Sequence, residues 1–231
     1  MMRWVLGLAA LFLLPTAPAM AQNWNAEFAD TGQGIRVGDA EAPLQIVSYS
    51  SYTCPHCAQF ERQSEAELRY FFVHEGFAAL EVRHMIRNPV DLAAALLTEC
   101  GDTDRFFDNH KAIMASQQDW LTTAQGLTHA QIQRWNAGTV PARMRAIASD
   151  LGFYDIMEGR GYSRTEMDRC LSDQPKAEAI SALSSANLDE YPIQGTPSFV
   201  VNGELLEGVH SWEGLRAVLQ AIRTGASAPQ E

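Results

Sequence analysis

Two cysteines separated by two residues, Cys54 and Cys57, are the residues of this chain best suited to chemistry. They lie where an apolar, strand-like run at residues 44–49 gives way to a helix-like run that begins at Pro55. A cysteine at a helix N-terminus faces unpaired N–H groups and the positive end of the helix dipole, which both favour the thiolate. Because the thiolate is the attacking species in disulfide exchange, we predict a reactive Cys54 that can close a disulfide onto Cys57.

A second segment carries a proline, Pro197, directly after Gly195 and Thr196 and before a strand-like run. Cis bonds form only about 5–6% of X-Pro bonds in folded proteins, but a redox motif upstream favours one here. A cis proline has no N–H and leaves the backbone edge of the preceding residue free to pair with an extended peptide. We predict that Thr196, with Gly195, binds substrate at that edge and that Pro197 packs against the two cysteines.

The remaining pattern predicts the elements that must position these residues. Strand-like runs are found at residues 44–49, 80–86, 198–201 and 204–206, the last two joined by an Asn-Gly hairpin signal. Helix-like runs are found at residues 55–73, 91–99, 104–117, 128–138, 141–151, 163–171, 175–189 and 211–223. This order predicts an α/β protein: a thioredoxin fold interrupted by an inserted all-helical domain.

The N-terminus predicts export. Arg3, an apolar core at residues 4–14 and a small-x-small pattern ending at Ala21 are typical of a cleaved secretory signal. Domain boundaries then follow as a signal peptide at 1–21, a thioredoxin-like domain at 22–88 and 190–225, a helical insertion at 89–189 and a polar tail at 226–231. Export to an oxidising compartment makes disulfides the default for paired cysteines.

Composition and charge argue against one class of binding partner, nucleic acids. The 231-residue chain has a formal net charge of −11, and loss of the signal makes it one unit more negative because Arg3 is the only charge there. Nucleic-acid binding depends on clustered Lys and Arg, and no basic run is present, so we expect no nucleic-acid partner. The 46% of apolar residues can form a sizeable core. We expect a monomer.

With both motifs in hand, the chain resembles the DsbA-type thiol:disulfide oxidoreductases of the bacterial periplasm. The matching residues are Ser50-x-x-Thr53-Cys54-Pro55-His56-Cys57-x-x-Phe60-Glu61 and Gly195-Thr196-Pro197-Ser198-Phe199. The resemblance covers nearly the whole mature chain and implies a thioredoxin fold that donates its disulfide to folding exported proteins. It also implies reoxidation by a quinone-linked membrane protein of the DsbB type and no cofactor of its own.

Residue roles carry over by position. The resemblance implies that Cys54 is the nucleophile that forms the mixed disulfide and that Cys57 is the buried resolving partner. Pro55 and His56 form the dipeptide between them, and His56 is expected to stabilise the Cys54 thiolate. Pro197 is the expected cis proline.

Glu61 is the remaining catalytic candidate, as a buried acid that relays a proton to or from Cys57. Relatives often carry an acid six residues before the first cysteine, and here that position is Ser48, which puts relay through a paired acid in question. Arg83, on the second predicted strand, is a candidate partner for Glu61.

The other two cysteines, Cys100 and Cys170, fall inside the predicted insertion. In an exported protein the simplest interpretation is a structural disulfide, and a regulatory role is the alternative. On the chain-entropy model, closing a loop of about 70 residues stabilises the fold by roughly 4 kcal/mol.

Other functions fit the same residues. A disulfide isomerase or reductase would use the same site, and a non-enzymatic holdase or copper(I)-binding protein would use its groove or thiolates. A cytosolic relative that uses glutathione is disfavoured by the signal. We expect no metal site, because a zinc site needs two more ligands. The histidines outside the motif have no i,i+4 partner or arrangement of acidic neighbours and are expected on the surface or in packing: His74, His84, His110, His129 and His210.

Overall fold

A computed structural model describes residues 22–225 of the chain. The predicted signal peptide and the predicted polar tail lie outside the described residues. Within residues 22–225, no helix combines the length and the apolar character needed to cross a bilayer.

Six strands form one mixed sheet. They are β1 (Phe28–Asp30), β2 (Ile35–Val37), β3 (Leu44–Ser50), β4 (Ala78–His84), β5 (Ser198–Val201) and β6 (Glu204–Leu205). Their spatial order is β1-β2-β4-β3-β5-β6. The central strand, β3, pairs parallel with β4 and antiparallel with β5, and its residues Leu44, Ile46 and Tyr49 are buried.

Ten α-helices accompany the sheet in the described part of the chain. They are α1 (Pro55–Leu68), α2 (Pro89–Thr98), α3 (Phe106–Ala115), α4 (Gln117–Gln125), α5 (His129–Asn136), α6 (Val140–Asp150), α7 (Phe153–Glu158), α8 (Arg164–Leu171), α9 (Gln174–Glu190) and α10 (Trp212–Thr224). Short 3₁₀ turns occupy Trp24–Ala26 and Thr103–Arg105. Because α2 to α9 all lie between β4 and β5, the predicted α/β fold with a helical insertion is confirmed.

Helix α1 begins where the sequence predicts. Pro55 occupies its first turn, where its missing N–H costs no hydrogen bond, and Cys54 is the N-cap residue. The predicted helix continues to residue 73, but the last five residues, Arg69–Val73, form a π-helical segment. Capping boxes open α5 at Thr128 and α8 at Ser163, as their sequences indicate.

Besides a small third cluster, two large apolar clusters fill the described part of the molecule. One lies against the sheet and includes residues of β3, α1 and α10, such as Ile46, Phe60 and Leu215. The other is formed mainly by the inserted helices, with Leu97 and Ile147 fully buried. Cys54 and Cys57 belong to this second cluster, so the sulfur atoms pack against the insertion and not only against the sheet.

Candidate active site

The two free cysteines of the described chain lie together at the start of α1. Cys57 is completely buried and Cys54 is only 4% exposed. The backbone N–H of Cys57 donates to the Cys54 carbonyl at 3.1 Å, which closes the first helical turn. Both sulfur atoms therefore lie at the N-terminal end of the helix, where the sequence places them.

The loop before β5 meets this helix end. The Thr196–Pro197 peptide bond is cis. The Cys54 thiol donates a hydrogen bond to the Thr196 carbonyl oxygen, with sulfur and oxygen 3.0 Å apart. The Thr196 hydroxyl is buried and has no hydrogen-bond partner within residues 22–225. Farther along this loop, the Gly195 carbonyl accepts from the Ser198 hydroxyl at 2.9 Å.

The surroundings of Cys54 favour its thiolate. The largest effect on the Cys54 pKa is a hydrogen bond from the Cys57 thiol, which lowers it. This effect outweighs burial, which raises the pKa. The Thr196 side chain and the backbone N–H groups of Cys57 and His56 also lower the Cys54 pKa and hold it at about 5, against an ordinary value of 9.0. Backbone donors at a helix start stabilise an anion in this way.

Cys57 is shifted in the opposite direction. Burial raises the pKa of the Cys57 thiol well above its ordinary value, and the neighbouring Cys54 raises it further. The Ser50 side chain and the Ser51 backbone only partly offset this. The pair therefore divides into one sulfur that is anionic at neutral pH and one that keeps its proton.

The dipeptide between the cysteines is exposed to solvent. Its two residues, Pro55 and His56, both face outward. The contribution of His56 to the lowered Cys54 pKa comes through its backbone N–H. The predicted effect of the His56 imidazole on the thiolate stays a prediction.

Glu61 contacts a histidine that the sequence does not point to. Its carboxylate lies 3.2 Å from Nε2 of His110, and Nδ1 of His110 lies 2.8 Å from the Tyr52 hydroxyl. The expected pairing of Arg83 with Glu61 is wrong: Arg83 pairs with Glu81 at 2.6 Å and belongs to the other side of β4. Proton transfer between Glu61 and Cys57 stays a prediction.

The expectation of histidines without acidic neighbours is also wrong for His84. It is buried at the end of β4, with Nε2 3.0 Å from Glu99, and the same carboxylate accepts from Lys176 at 2.7 Å. Burial opposes ionisation of Glu99, but His84 and Lys176 outweigh it and lower the Glu99 pKa to about 2. Neither acidic partner is close in sequence, so only the fold reveals these pairs.

A buried carboxylate, Asp91, holds the residues that precede Cys54. It is completely buried in the first turn of α2 and accepts hydrogen bonds from the Ser51 hydroxyl, the Thr53 N–H and the Thr53 hydroxyl. Sequence reasoning missed it because an acid in a first helical turn, after the Asn88 cap, is usually explained by the helix dipole. From α4, the Gln117 amide donates to the backbone of the same segment.

Outside this site, a disulfide joins Cys100, which follows α2, to Cys170 in α8, with Cα atoms 5.7 Å apart. Ser48, at the position where relatives often carry an acid, is buried on β3 with an unpartnered hydroxyl. Among residues 22–225, no group of three or more His, Cys, Asp or Glu side chains is arranged to hold a metal ion.

Known proteins share this architecture. The crystal structure of a protein-disulfide isomerase from Novosphingobium aromaticivorans superposes with a TM-score of 0.78. The match covers 81% of this chain and 95% of that one, at 44% identity. The structure of alpha-DsbA1 from Wolbachia pipientis superposes with a TM-score of 0.65 over 82% of this chain and 90% of that one, at 20% identity. That level of identity shows a shared fold.

Curated relatives are longer proteins. A Rickettsia conorii protein provisionally named as a protein-disulfide oxidoreductase is 30% identical over 169 residues, which are 72% of this chain and 52% of that protein. A Rickettsia bellii protein with the same provisional name is 28% identical over 168 residues, 72% of this chain and 56% of its own length. The chain thus spans just over half the length of these curated relatives.

A family model described as Thioredoxin matches residues 30–221, which is most of the chain and includes both motifs. The match, the cis proline beside the CxxC helix and the inserted helices agree with one another. The chain belongs to the thioredoxin family and has the DsbA-type fold.

Proposed function

We propose that this protein is a thiol:disulfide oxidoreductase that transfers a Cys54–Cys57 disulfide to folding exported proteins through a mixed disulfide at Cys54. One observation carries the proposal: the sulfur with the lowered pKa lies 3.0 Å from the backbone of the cis-proline loop. An extended substrate segment that pairs with Thr196 brings its own cysteine to this sulfur.

The chemistry is a two-electron exchange of disulfides. A substrate thiolate attacks the Cys54 sulfur, so that a bond from substrate to Cys54 forms while the Cys54–Cys57 bond breaks and Cys57 leaves with the electron pair. Cys57 then takes up a proton, as its raised pKa favours. A second substrate thiolate attacks the substrate sulfur of the mixed disulfide, forms the substrate disulfide and releases Cys54 as a thiolate.

The lowered Cys54 pKa supports the oxidising direction. A thiol with a low pKa leaves faster and stabilises the reduced form of the protein, so the disulfide becomes a stronger oxidant. We expect a potential against glutathione closer to about −120 mV, as in strongly oxidising relatives, than to about −270 mV, as in thioredoxin.

Trapping tests the proposed intermediate. In Cys57→Ser, the Cys54 thiolate attacks one sulfur of a disulfide-bonded peptide and releases the other as a thiolate. The mixed disulfide lacks its resolving thiol, so we expect a stable adduct, mapped to Cys54 by mass spectrometry. Cys54→Ser is the matched control and should form little adduct, because Cys57 is completely buried. Equal trapping in the two variants would contradict the assignment of Cys54 as the nucleophile.

Isomerisation is the second candidate function, because the Novosphingobium aromaticivorans relative bears the name of a protein-disulfide isomerase. Two refolding assays separate the functions. An oxidase reactivates reduced ribonuclease when supplied in its disulfide form, whereas an isomerase reactivates scrambled ribonuclease in its dithiol form without added oxidant. We expect the first activity to dominate.

The cellular setting belongs to the proposal. Export to the periplasm rests on the predicted signal at residues 1–21, and reoxidation by a quinone-linked membrane protein of the DsbB type rests on the resemblance to the family. Deletion of residues 2–21 should leave the protein in the cytoplasm. Reoxidation is measured by quinone reduction when the reduced protein is added to membranes that contain the partner.

His56 and Glu61 have proposed supporting roles. Replacing His56 with alanine keeps the backbone N–H that already acts on Cys54 and removes only the imidazole. A higher Cys54 pKa in this variant would support a role for the imidazole in stabilising the thiolate. Glu61→Gln should slow resolution of the mixed disulfide if Glu61 exchanges protons with Cys57.

A further inference from the structure

Four residues directly before and at the start of α1, residues 51–54, form a segment that we call the active-site loop. Its shape decides where the Cys54 sulfur lies relative to the helix N–H groups and to Thr196. Most of the side chains that hydrogen-bond this loop come from the inserted helices and the turn that leads into them. The loop is therefore held by a part of the protein that the thioredoxin sheet does not supply.

Asp91 makes the densest set of these contacts. One carboxylate oxygen accepts from the Ser51 hydroxyl at 2.9 Å and from the Thr53 N–H at 2.8 Å. The other accepts from the Thr53 hydroxyl at 3.2 Å and from the Arg87 N–H at 3.0 Å. A carboxylate buried away from water is tolerated only when hydrogen bonds of this kind compensate it. Because all four donors bind the Asp91 carboxylate, the position of each donor depends on the position of Asp91.

Gln117 holds the other end of the loop. Its side-chain amide is buried and donates to the carbonyl oxygens of Tyr52 at 2.6 Å and Cys54 at 2.8 Å. The Cys54 carbonyl is also the first acceptor of α1, because it accepts from the N–H of Cys57. Gln117 thus fixes the peptide group that defines where the helix begins.

Arg87 and Asn88 make a third set of hydrogen bonds to the active-site loop. The Arg87 guanidinium donates to the Ser51 hydroxyl at 3.0 Å and to the Thr53 hydroxyl at 3.1 Å. The Asn88 side chain donates to the Thr53 hydroxyl at 2.9 Å, and its own oxygen caps α2 by accepting from the N–H of Val90 and Asp91. The start of α2 and the active-site loop are therefore one hydrogen-bonded unit.

We infer that Asp91 and Gln117 are positioning residues of the disulfide-exchange site, through which the helical insertion fixes the Cys54 sulfur at the start of α1 and beside Thr196. The inference rests on the proposed function for its biological meaning, but the position of the sulfur is measurable without it. Neither residue touches substrate or a reacting atom. Each acts through the backbone before Cys54.

The direction in which the Cys54 pKa changes in Asp91→Asn distinguishes a positioning role from a direct effect of charge. Removing a negative charge near a thiolate would lower the Cys54 pKa, because the thiolate would lose a repelling neighbour. Loosening the loop does the reverse, since the helix N–H groups and Thr196 would align less well with the sulfur. Positioning therefore predicts that Asp91→Asn raises the Cys54 pKa, against the direction of its charge change.

The experiment compares Asp91→Asn and Gln117→Met with matched controls on exposed positions of α4, Asp119→Asn and Gln118→Met. Thiolate absorbance at 240 nm against pH gives the Cys54 pKa, and glutathione equilibria give the potential. We expect a pKa rise of about one unit, a tenfold change in the ionisation constant, in both test variants and none in the controls. The potential should become more reducing in step.

A stability-matched variant guards against general loosening. Ile147→Ala removes buried volume from the insertion core, and neither Ile147 nor its helix hydrogen-bonds the active-site loop. It should lower the melting temperature as much as the test variants do and leave the Cys54 pKa unchanged. If Asp91→Asn does not fold, Ser51→Ala removes a single hydrogen bond from the same carboxylate and should give a smaller rise.

The inference is overturned if folded Asp91→Asn and Gln117→Met keep the wild-type Cys54 pKa, or if Ile147→Ala shifts it equally. This result is distinct from failure of the proposed function. If the wild-type protein transfers no disulfide to peptides, the proposed oxidoreductase function is wrong. The Cys54 pKa values of the variants would still test whether the insertion positions the sulfur.

Discussion

The Cys54 sulfur lies 3.0 Å from the carbonyl oxygen of Thr196, although 142 residues separate the two in sequence. The thiol donates to this carbonyl, but a thiolate has no proton to donate. The Thr196 hydroxyl, in contrast, can donate to the anion. It is buried and has no other hydrogen-bond partner among the described residues. Thr196 therefore offers a partner to each protonation state of Cys54.

Thr196→Val should raise the Cys54 pKa. Valine keeps the shape and the carbonyl of threonine but removes the hydroxyl that contributes to the lowered pKa. A hydrogen bond to a charged group contributes about 1.5–3 kcal/mol, so we expect a rise of roughly one to two pKa units and a more reducing potential. Thiolate absorbance measures the pKa, with the exposed Thr122→Val as control. An unchanged titration would assign the whole effect to the backbone and Cys57.

The reduced protein should gain stability over the oxidised protein as pH rises. In the reduced form the folded-state Cys54 pKa of about 5 lies below its ordinary value of 9.0, so the stabilisation is fully present above pH 9 and is lost as pH falls to 5. The gain between these values approaches about 1.4 kcal/mol per pH unit. Denaturant unfolding of both redox forms at pH 5, 7 and 8.5 measures it. Parallel curves for the two forms would contradict the lowered pKa.

Glu99→Gln should destabilise the protein at neutral pH and lose that effect in acid. The folded-state pKa of about 2 lies below the ordinary 4.5, so the stabilisation from the Glu99 carboxylate is present above pH 4.5 and disappears as pH falls towards 2. The shift corresponds to on the order of 3 kcal/mol. Unfolding of both proteins between pH 2.5 and 7 measures the difference. Exposed Glu158→Gln is the control, and a deficit independent of pH would refute the assignment.

Removal of the Cys100–Cys170 disulfide should lower stability without altering the nucleophile. The bond closes a separation of 70 residues, so the double variant Cys100→Ala/Cys170→Ala should lose roughly 4 kcal/mol of unfolding free energy on the chain-entropy model. A purely structural bond leaves the Cys54 pKa unchanged. Thiolate titration and denaturant unfolding of the double variant test both halves. A shifted Cys54 pKa would instead support the regulatory alternative.

Much of the site was predictable because its signals are local. The CxxC spacing, Pro55 at a helix start and a proline before a strand all lie within short windows, and the fold places Thr196 against Cys54 at the start of α1. The order of strands and helices was predictable for the same reason, since hydrophobic periodicity is read from neighbouring residues.

The missed elements are short or weakly patterned. β1 and β2 have three residues each, too few for alternation to appear, and no strand was predicted before residue 44. Helix α7 has six residues. Helix α4 follows α3 after one intervening residue, Ser116, and lies almost entirely beyond the helix predicted at residues 104–117. Pairing with β4 and packing in the insertion stabilise these elements, and neither is visible locally.

The missed side chains act across the fold. Asp91 reaches Ser51 over 40 residues, Gln117 reaches Tyr52 over 65, and Glu61 lies against His110. Each of these residues has an ordinary local explanation, as a dipole acid, a surface amide or a helix charge. Only the docking of the insertion onto the start of α1 gives them their role.

The central strand β3 has consequences for how the molecule is made. It pairs with β4, which follows soon after it, and with β5, which the ribosome adds only after the whole insertion. A chain interrupted between residues 58 and 195 therefore bears both cysteines but lacks Thr196, Pro197 and β5. Such fragments therefore carry Cys54 without the Thr196 carbonyl that its thiol contacts in the folded protein.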